Sequence, residues 1–166
     1  SSWNPNVNGP VNTLTQTDSG LFTGGSFTSV GGRSVSNMVL FDQMPLPSIG
    51  FTATSSSGDE AVSSVPIGLA LSESALSDVT VGYRISGGTA TGSGSDFTLA
   101  TGTVTILAGN TTGSIPLSIV NDTRHENTET VIISLFDVTE NATIGSNVSY
   151  TYSILDNDPQ ITHSVT

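Results

Sequence analysis

An all-β fold, most simply a seven-stranded antiparallel β-sandwich of immunoglobulin-like build preceded by a strand-rich arm, is what this sequence predicts. Three observations carry the prediction. Ser and Thr supply about three residues in ten and Gly is frequent with 18 copies, while Ala, Leu, Glu and Lys are sparse, which is the balance of strands and turns rather than helices. Seven runs of period-two alternation are bounded by Gly, Asn and Asp, and no segment shows helical periodicity. Strands at that spacing suggest two packed sheets.

The first forty-odd residues hold three short candidates, "VNTLTQT" from Val11, "GLFTGG" from Gly20 and "NMVLFD" from Asn37, joined by glycine-rich turns. A junction follows at "QMPLPS", where Pro45 and Pro47 favour an extended connector, and the boundary is placed near residues 43 to 47. The division expected is an arm over 1–45, a sandwich over 46–160 and a tail over 161–166. The sandwich strands are "SIGFTAT" from Ser48, "SVPIGLALS" from Ser64, "DVTVGYRIS" from Asp78 and "GTVTILAG" from Gly102, then "GSIPLSIV" from Gly113, "TVIISLFDV" from Thr130 and "SYTYSILD" from Ser149. Pro66 and Pro116 interrupt two of these runs, and a residue that cannot donate to a ladder belongs at an edge or a bulge.

Charge narrows the function classes. Fourteen acids face three arginines and no lysine, a net charge of −11, so phosphate backbones and anionic membranes are repelled and divalent cations become the natural counter-ions. Zero cysteines remove disulfides and thiolate metal sites, which leaves oxygen or histidine to hold any metal. No apolar run approaches eighteen residues, so membrane insertion is not expected. The opening "SSWNPNVNGP" has neither a basic start nor an apolar core, and a secreted chain would have lost its signal already.

The acids gather at four places, "GDE" (Asp59, Glu60), "GSD" (Asp96), "NDTRHENTE" (Asp122, Glu126, Glu129) and "LDND" (Asp156, Asp158), each at the end of an expected strand. One such group alone reads as a solvated turn, since Asp is an ordinary turn former. Four of them at strand ends point further, because loops converge at one end of a sandwich and calcium takes six to eight oxygens in a forgiving geometry.

Over Ser48 to Asp158 the motifs "VTVGYRISGGTATGSGSDFT", "GTVTILAGNTTGSIPLSIVNDTRHENTETVIISL" and "SYTYSILDND" resemble the Calx-beta domain, the calcium-binding module of sodium/calcium exchangers, an integrin and many bacterial surface proteins. The resemblance implies a seven-stranded sandwich with Ca2+ at one end. It also implies ligands at Glu60, Asp96, Asp122, Glu126, Asp156 and Asp158, with Glu129 on the second Glu of the pair. Asn121 and Asn157 stand where the strongest binders carry Asp; each removes one negative charge and implies fewer ions or weaker binding. The segment Trp3 to Asp42, with "WNP", "GGSFTSVGG" and "NMVLFD", resembles a single bacterial β-propeller repeat. One blade cannot bury its own faces, so it is expected to be a fragment of a longer protein or an arm that packs on the following domain or on a neighbouring subunit.

Other chemistry fits less well. Glu126 and Glu129 have the residue types of a glycosidase acid and base, but one Trp in the chain leaves little for an aromatic cleft. His125 lacks a partner set, the other histidine being His163 in the tail, and reads as a bystander. Gly87 and Gly88 precede no lysine and no helix, so they read as a flexible connection rather than a phosphate loop. Four Asn-x-Ser/Thr sequons, at Asn110, Asn121, Asn141 and Asn147, are what chance supplies in so Ser/Thr-rich a chain.

The expected function is a non-enzymatic, extracellular calcium-binding module of a surface or adhesion protein, its partners being calcium ions and neighbouring copies or adjacent domains of the same protein. The alternative is a self-assembling structural subunit of an extracellular filament, sheath or virion surface, its N-terminal arm packing on or donated to a neighbouring subunit.

Overall fold

A computed structural model describes residues 6–17, 20–42 and 45–160. Trp3, His163 and the 161–166 tail lie outside the described residues, as do residues 43 and 44 of the expected junction. The chain divides into two compact units, Ser1–Pro45 and Leu46–Thr166.

The first unit carries five strands, β1 (Val11–Thr17), β2 (Gly20–Gly25), β3 (Ser29–Val30), β4 (Arg33–Ser34) and β5 (Met38–Asp42). An antiparallel sheet of order β1-β2-β5 is accompanied by the β3-β4 hairpin. The hairpin turns at Gly31 and Gly32, with φ of 56° and 78°, the pair of left-handed residues that a two-residue turn matching strand twist requires. Asn8 pins the preceding segment to this hairpin, its Oδ1 accepting the N–H groups of Thr28 and Ser29 at 2.9 Å. Among the described residues, Phe27 and Val30 are the buried apolar side chains here.

The second unit is the sandwich. Its strands are β6 (Ser48–Phe51), β7 (Ser55–Asp59), β8 (Ser64–Leu71), β9 (Val79–Gly88), β10 (Phe97–Thr98), β11 (Gly102–Ile106), β12 (Thr112–Ile119), β13 (Glu129–Val138), β14 (Thr143–Ile144) and β15 (Ser149–Leu155). They form two five-stranded sheets, β10-β12-β8-β6-β14 and β11-β9-β13-β15-β7. Alternation decides which side chains face inward: in β12 Ile115, Leu117 and Ile119 are buried while their neighbours are exposed, and in β13 Val131, Ile133 and Leu135 are buried between half-buried neighbours. Phe51, Tyr150 and Tyr152 fill the space between the sheets, with the Phe51 and Tyr150 ring centroids 5.4 Å apart. Burying each such aliphatic side chain stabilises the fold by roughly 1.5–3 kcal/mol.

Two expectations are corrected. The seven runs become ten strands, and the pairing is not wholly antiparallel, since β14 joins β6 and β7 joins β15 in parallel. The first run, Ser48 to Thr54, yields β6 alone, and β7 follows it as an unexpected strand in the other sheet. Alternation misses β7 because "SSSGD" has no apolar side chain, and it is held instead by the backbone ladder to β15. The prolines sit inside interior strands, directly opposite one another at Pro66↔Pro116. Leu71 N–H to Thr111 O and Ile119 N–H to Ser63 O set the ladder's phase, so 66/116 is a non-hydrogen-bonded pair whose nitrogens point outward. On those outer sides the β6 segment reaches no further than Gly68, whose carbonyl accepts Thr52 N–H at 3.0 Å, and β10 pairs with Ser118 and Ile119, which makes both prolines local edges.

Gly87 and Gly88 are not a loose connection, because they finish β9 opposite Ile132 and Val131. Gly88 has φ 117°, and a Cβ there would stand 2.1 Å from the Thr130 carbonyl oxygen.

Candidate metal centre

All four acidic groups arrive at one end of the sandwich, and strand pairing is what brings them there. The β7–β15 ladder ends at Asp59↔Leu155, and Glu60 N–H continues it by donating to Leu155 O at 3.0 Å. Glu60 therefore meets the "LDND" segment leaving β15. Glu129 opens β13 opposite Ile154, and Asp96 precedes β10, whose Phe97 pairs with Ile119 at the far end of β12. The Asp96 loop is closed on itself: its carboxylate accepts Thr91 N–H, its N–H donates to Thr91 O at 3.0 Å, and its carbonyl accepts Val120 N–H at 2.9 Å.

Carboxylates within 4.8 Å of one another form two groups, Glu60 with Asp156 and Asp158, and Asp96 with Glu126 and Glu129. Six of the seven sequence-predicted residues are thus brought together. Asp122 stands outside both groups, its Oδ1 accepting Arg124 N–H at 2.7 Å, though its charge is felt at Glu60.

The electrostatics are those of crowded like charges. Burial, with the charges of Asp158, Asp156 and Asp122 added, raises the pKa of Glu60 against the lowering effect of the Asn157 N–H. Glu129 is pushed up to about 7, by burial first, then by a hydrogen bond with Asp96 and the charges of Asp96, Glu126 and Glu60. The charge of Glu60 in one group thus adds to the upward shift of Glu129 in the other. Asp156 goes the other way: desolvation opposes its ionisation, but N–H bonds from Asp158 and Glu126 and the His125 ring hold it below the usual value.

Sequence reasoning missed two residues. His125 is no bystander, since its Nδ1 lies against Asp156 Oδ2 and 3.0 Å from Asp158 O. Asp59 was noted only as part of "GDE", yet its Oδ1 accepts Ala61 N–H and Asn157 Nδ2–H, both at 2.9 Å. The His125 contacts and the Asp59–Asn157 bond have no local signature, because each joins segments remote in sequence. Arg124 contributes little, with its side chain 80% exposed and 3.9 Å from Glu126.

The donor set fits a hard cation. Every group member offers oxygen, and Glu60, only 5% exposed, has an Oε1 with no hydrogen-bond partner; Asp158 Oδ2 is likewise buried and unpartnered. Buried acceptors left open beside other carboxylates are costly unless something positive completes them.

A two-sheet, immunoglobulin-like sandwich with carboxylates collected at one end is the class that fold and site define. The Calx-beta domain model matches residues 42–158, and the chain belongs to that family. Among solved structures, the apo-form Calx CBD1 domain is similar with a TM-score of 0.63 at 21% identity, over 68% of this chain and 99% of that one. The Calx CBD2 domain gives 0.61 at 16%, over 69% and 91%. The calcium binding domain CBD12 of CALX1.1 gives 0.62 at 22%, over 66% of this chain and 44% of its own length. At these identities the structural likeness speaks for the fold. No curated protein matches the sequence.

Proposed function

We propose that this chain is a non-enzymatic calcium-binding module of an extracellular surface protein, its ions held at the acidic end of the sandwich. The observation that carries this reading is the buried, unpartnered pair of oxygens, Glu60 Oε1 and Asp158 Oδ2, within one carboxylate group. Glu60, Asp156 and Asp158 would hold one cation, and Asp96, Glu126 and Glu129 an adjoining one. The chain's own part is to fix these oxygens: the β7–β15 ladder sets Glu60 against Asp156, Val120 N–H sets the Asp96 loop, and Asp158 N–H orients Asp156 Oδ1 at 3.2 Å. Calcium would supply the positive charge that lets the carboxylates remain ionised side by side, so binding and loop order are linked.

An extracellular setting is supported by the charge count. With Asn at 121 and 157 the rim carries two fewer charges than Asp would give, which suits the 10⁻⁴–10⁻³ M affinities of extracellular calcium modules. Calorimetric titration of chelator-treated protein is expected to show calcium uptake at or below millimolar concentration, with fewer ions bound by Glu60→Gln/Asp158→Asn, which disables the first group. No uptake at millimolar calcium overturns the reading.

A second reading, assembly through the N-terminal unit, rests on exposed apolar side chains on its outer strands, Leu14 at 60% and Met38 at 64%. Sedimentation of the chain beside Leu14→Ser/Met38→Ser is its test. Self-association that the double variant loses favours assembly, and a wild-type monomer removes it.

A further inference from the structure

Asn157, between the two carboxylates of the closing triplet, engages two other segments at once. Its backbone N–H favours the ionised form of the Glu60 carboxyl. Its side-chain Nδ2 donates to Asp59 Oδ1 and to Asn121 Oδ1, each at 2.9 Å. Asp59 ends β7 and Asn121 follows β12, and these strands belong to different sheets, so no ladder brings the two oxygens together. One amide does it instead.

A primary amide that points two N–H groups at two acceptors gathers oxygens much as a small cation does, without carrying charge. Neutrality matters at this rim, since Asp59, Glu60, Asp122, Asp156 and Asp158 already crowd it and a carboxylate at 157 would add repulsion while losing both donors. Independently of these bonds, Glu60 is 5% exposed and keeps Oε1 unpartnered within the group, so the fold holds an open acceptor oxygen beside Asp156 and Asp158.

We infer that Asn157 is a positioning residue, a tie that keeps the ion-free loops in the arrangement that binds calcium. The inference rests on the calcium reading above. The tie lowers the ordering cost paid on binding, and its side chain is not itself a ligand.

Hydrogen exchange followed by mass spectrometry, on the full chain in chelator, compares wild type with Asn157→Ala. Exchange is expected to rise at least tenfold in residues 59–61 and 121–128 while β13 stays protected. Calorimetry is expected to show calcium affinity reduced about threefold to tenfold at unchanged stoichiometry. Unchanged exchange in both loops overturns the tie, and a fall in stoichiometry overturns the claim that the side chain is not a ligand. If β13 also loses protection the variant has unfolded, and Asn121→Ala, which removes only one acceptor, is measured in its place with the same criteria. Wild type that takes up no calcium defeats the calcium reading alone, and the exchange result in chelator still decides the tie.

Discussion

Glu60 donates its backbone N–H to the carbonyl of Leu155 at 3.0 Å, and this one bond seats a buried carboxylate beside Asp156 and Asp158. The bond extends the parallel β7–β15 ladder by one step past Asp59↔Leu155. A residue from the start of the sandwich and a triplet from its end become one site because a strand without apolar residues lies along the edge of the second sheet.

Calcium should stabilise the folded state in proportion to its occupancy. At a hundredfold excess over Kd the linkage amounts to about 2.7 kcal/mol per site, or roughly 10 °C in Tm for a domain of this size. Thermal melts in chelator and in calcium measure it. Glu60→Gln should raise the melting point in chelator, because it removes a buried charge, and reduce the gain on adding calcium.

The pH dependence without ions has a definite sign. Glu60 and Glu129 bind protons more tightly folded than unfolded, so the stabilisation is fullest below the ordinary glutamate value of 4.5. It is lost as pH rises toward about 7, where Glu129 titrates. Asp156 has the opposite sign, and its contribution is lost only in acid, below its ordinary value of 3.8. Melts in chelator should therefore fall by several degrees between pH 4.5 and 7 and level off above. In saturating calcium the same range should show a rise, since ligand carboxyls must be ionised.

Gly88→Ala should disturb both fold and site. Its Cβ would meet the Thr130 oxygen at 2.1 Å with φ at 117°, and Ala90 N–H bonds that same oxygen at 3.0 Å on the way to the Asp96 loop. We expect a loss of about 2 kcal/mol or more by denaturant titration, with weaker calcium binding than the stability loss alone explains.

Ile133→Ala separates core from site. Ile133 is fully buried at the centre of β13, and truncation should cost about 2–5 kcal/mol by chemical denaturation. Calcium affinity of the folded fraction should stay unchanged, as the side chain lies between the sheets and away from the loops.

Much of this was legible in the sequence where a side chain alternates. The runs around Ile67, Leu117 and Ile133 became strands because each places apolar groups at every second position. The strands that alternation missed, β7, β10 and β14, are a polar edge or two-residue contacts set by partners rather than by their own residues. The site divides the same way. Its six clustered carboxylates could be named because acids at strand ends stand out in a chain so poor in charge. His125 and Asn157 could not be given their roles, because a ring against Asp156 and an amide across Asp59 and Asn121 exist only once three loops have met.

Anomalous scattering from crystals grown in calcium tests the central claim most directly. The account predicts a calcium peak among Glu60, Asp156 and Asp158, with Glu60 Oε1 and Asp158 Oδ2 turned to it, and a second among Asp96, Glu126 and Glu129. Crystals grown at saturating calcium with no peak at either group would contradict it.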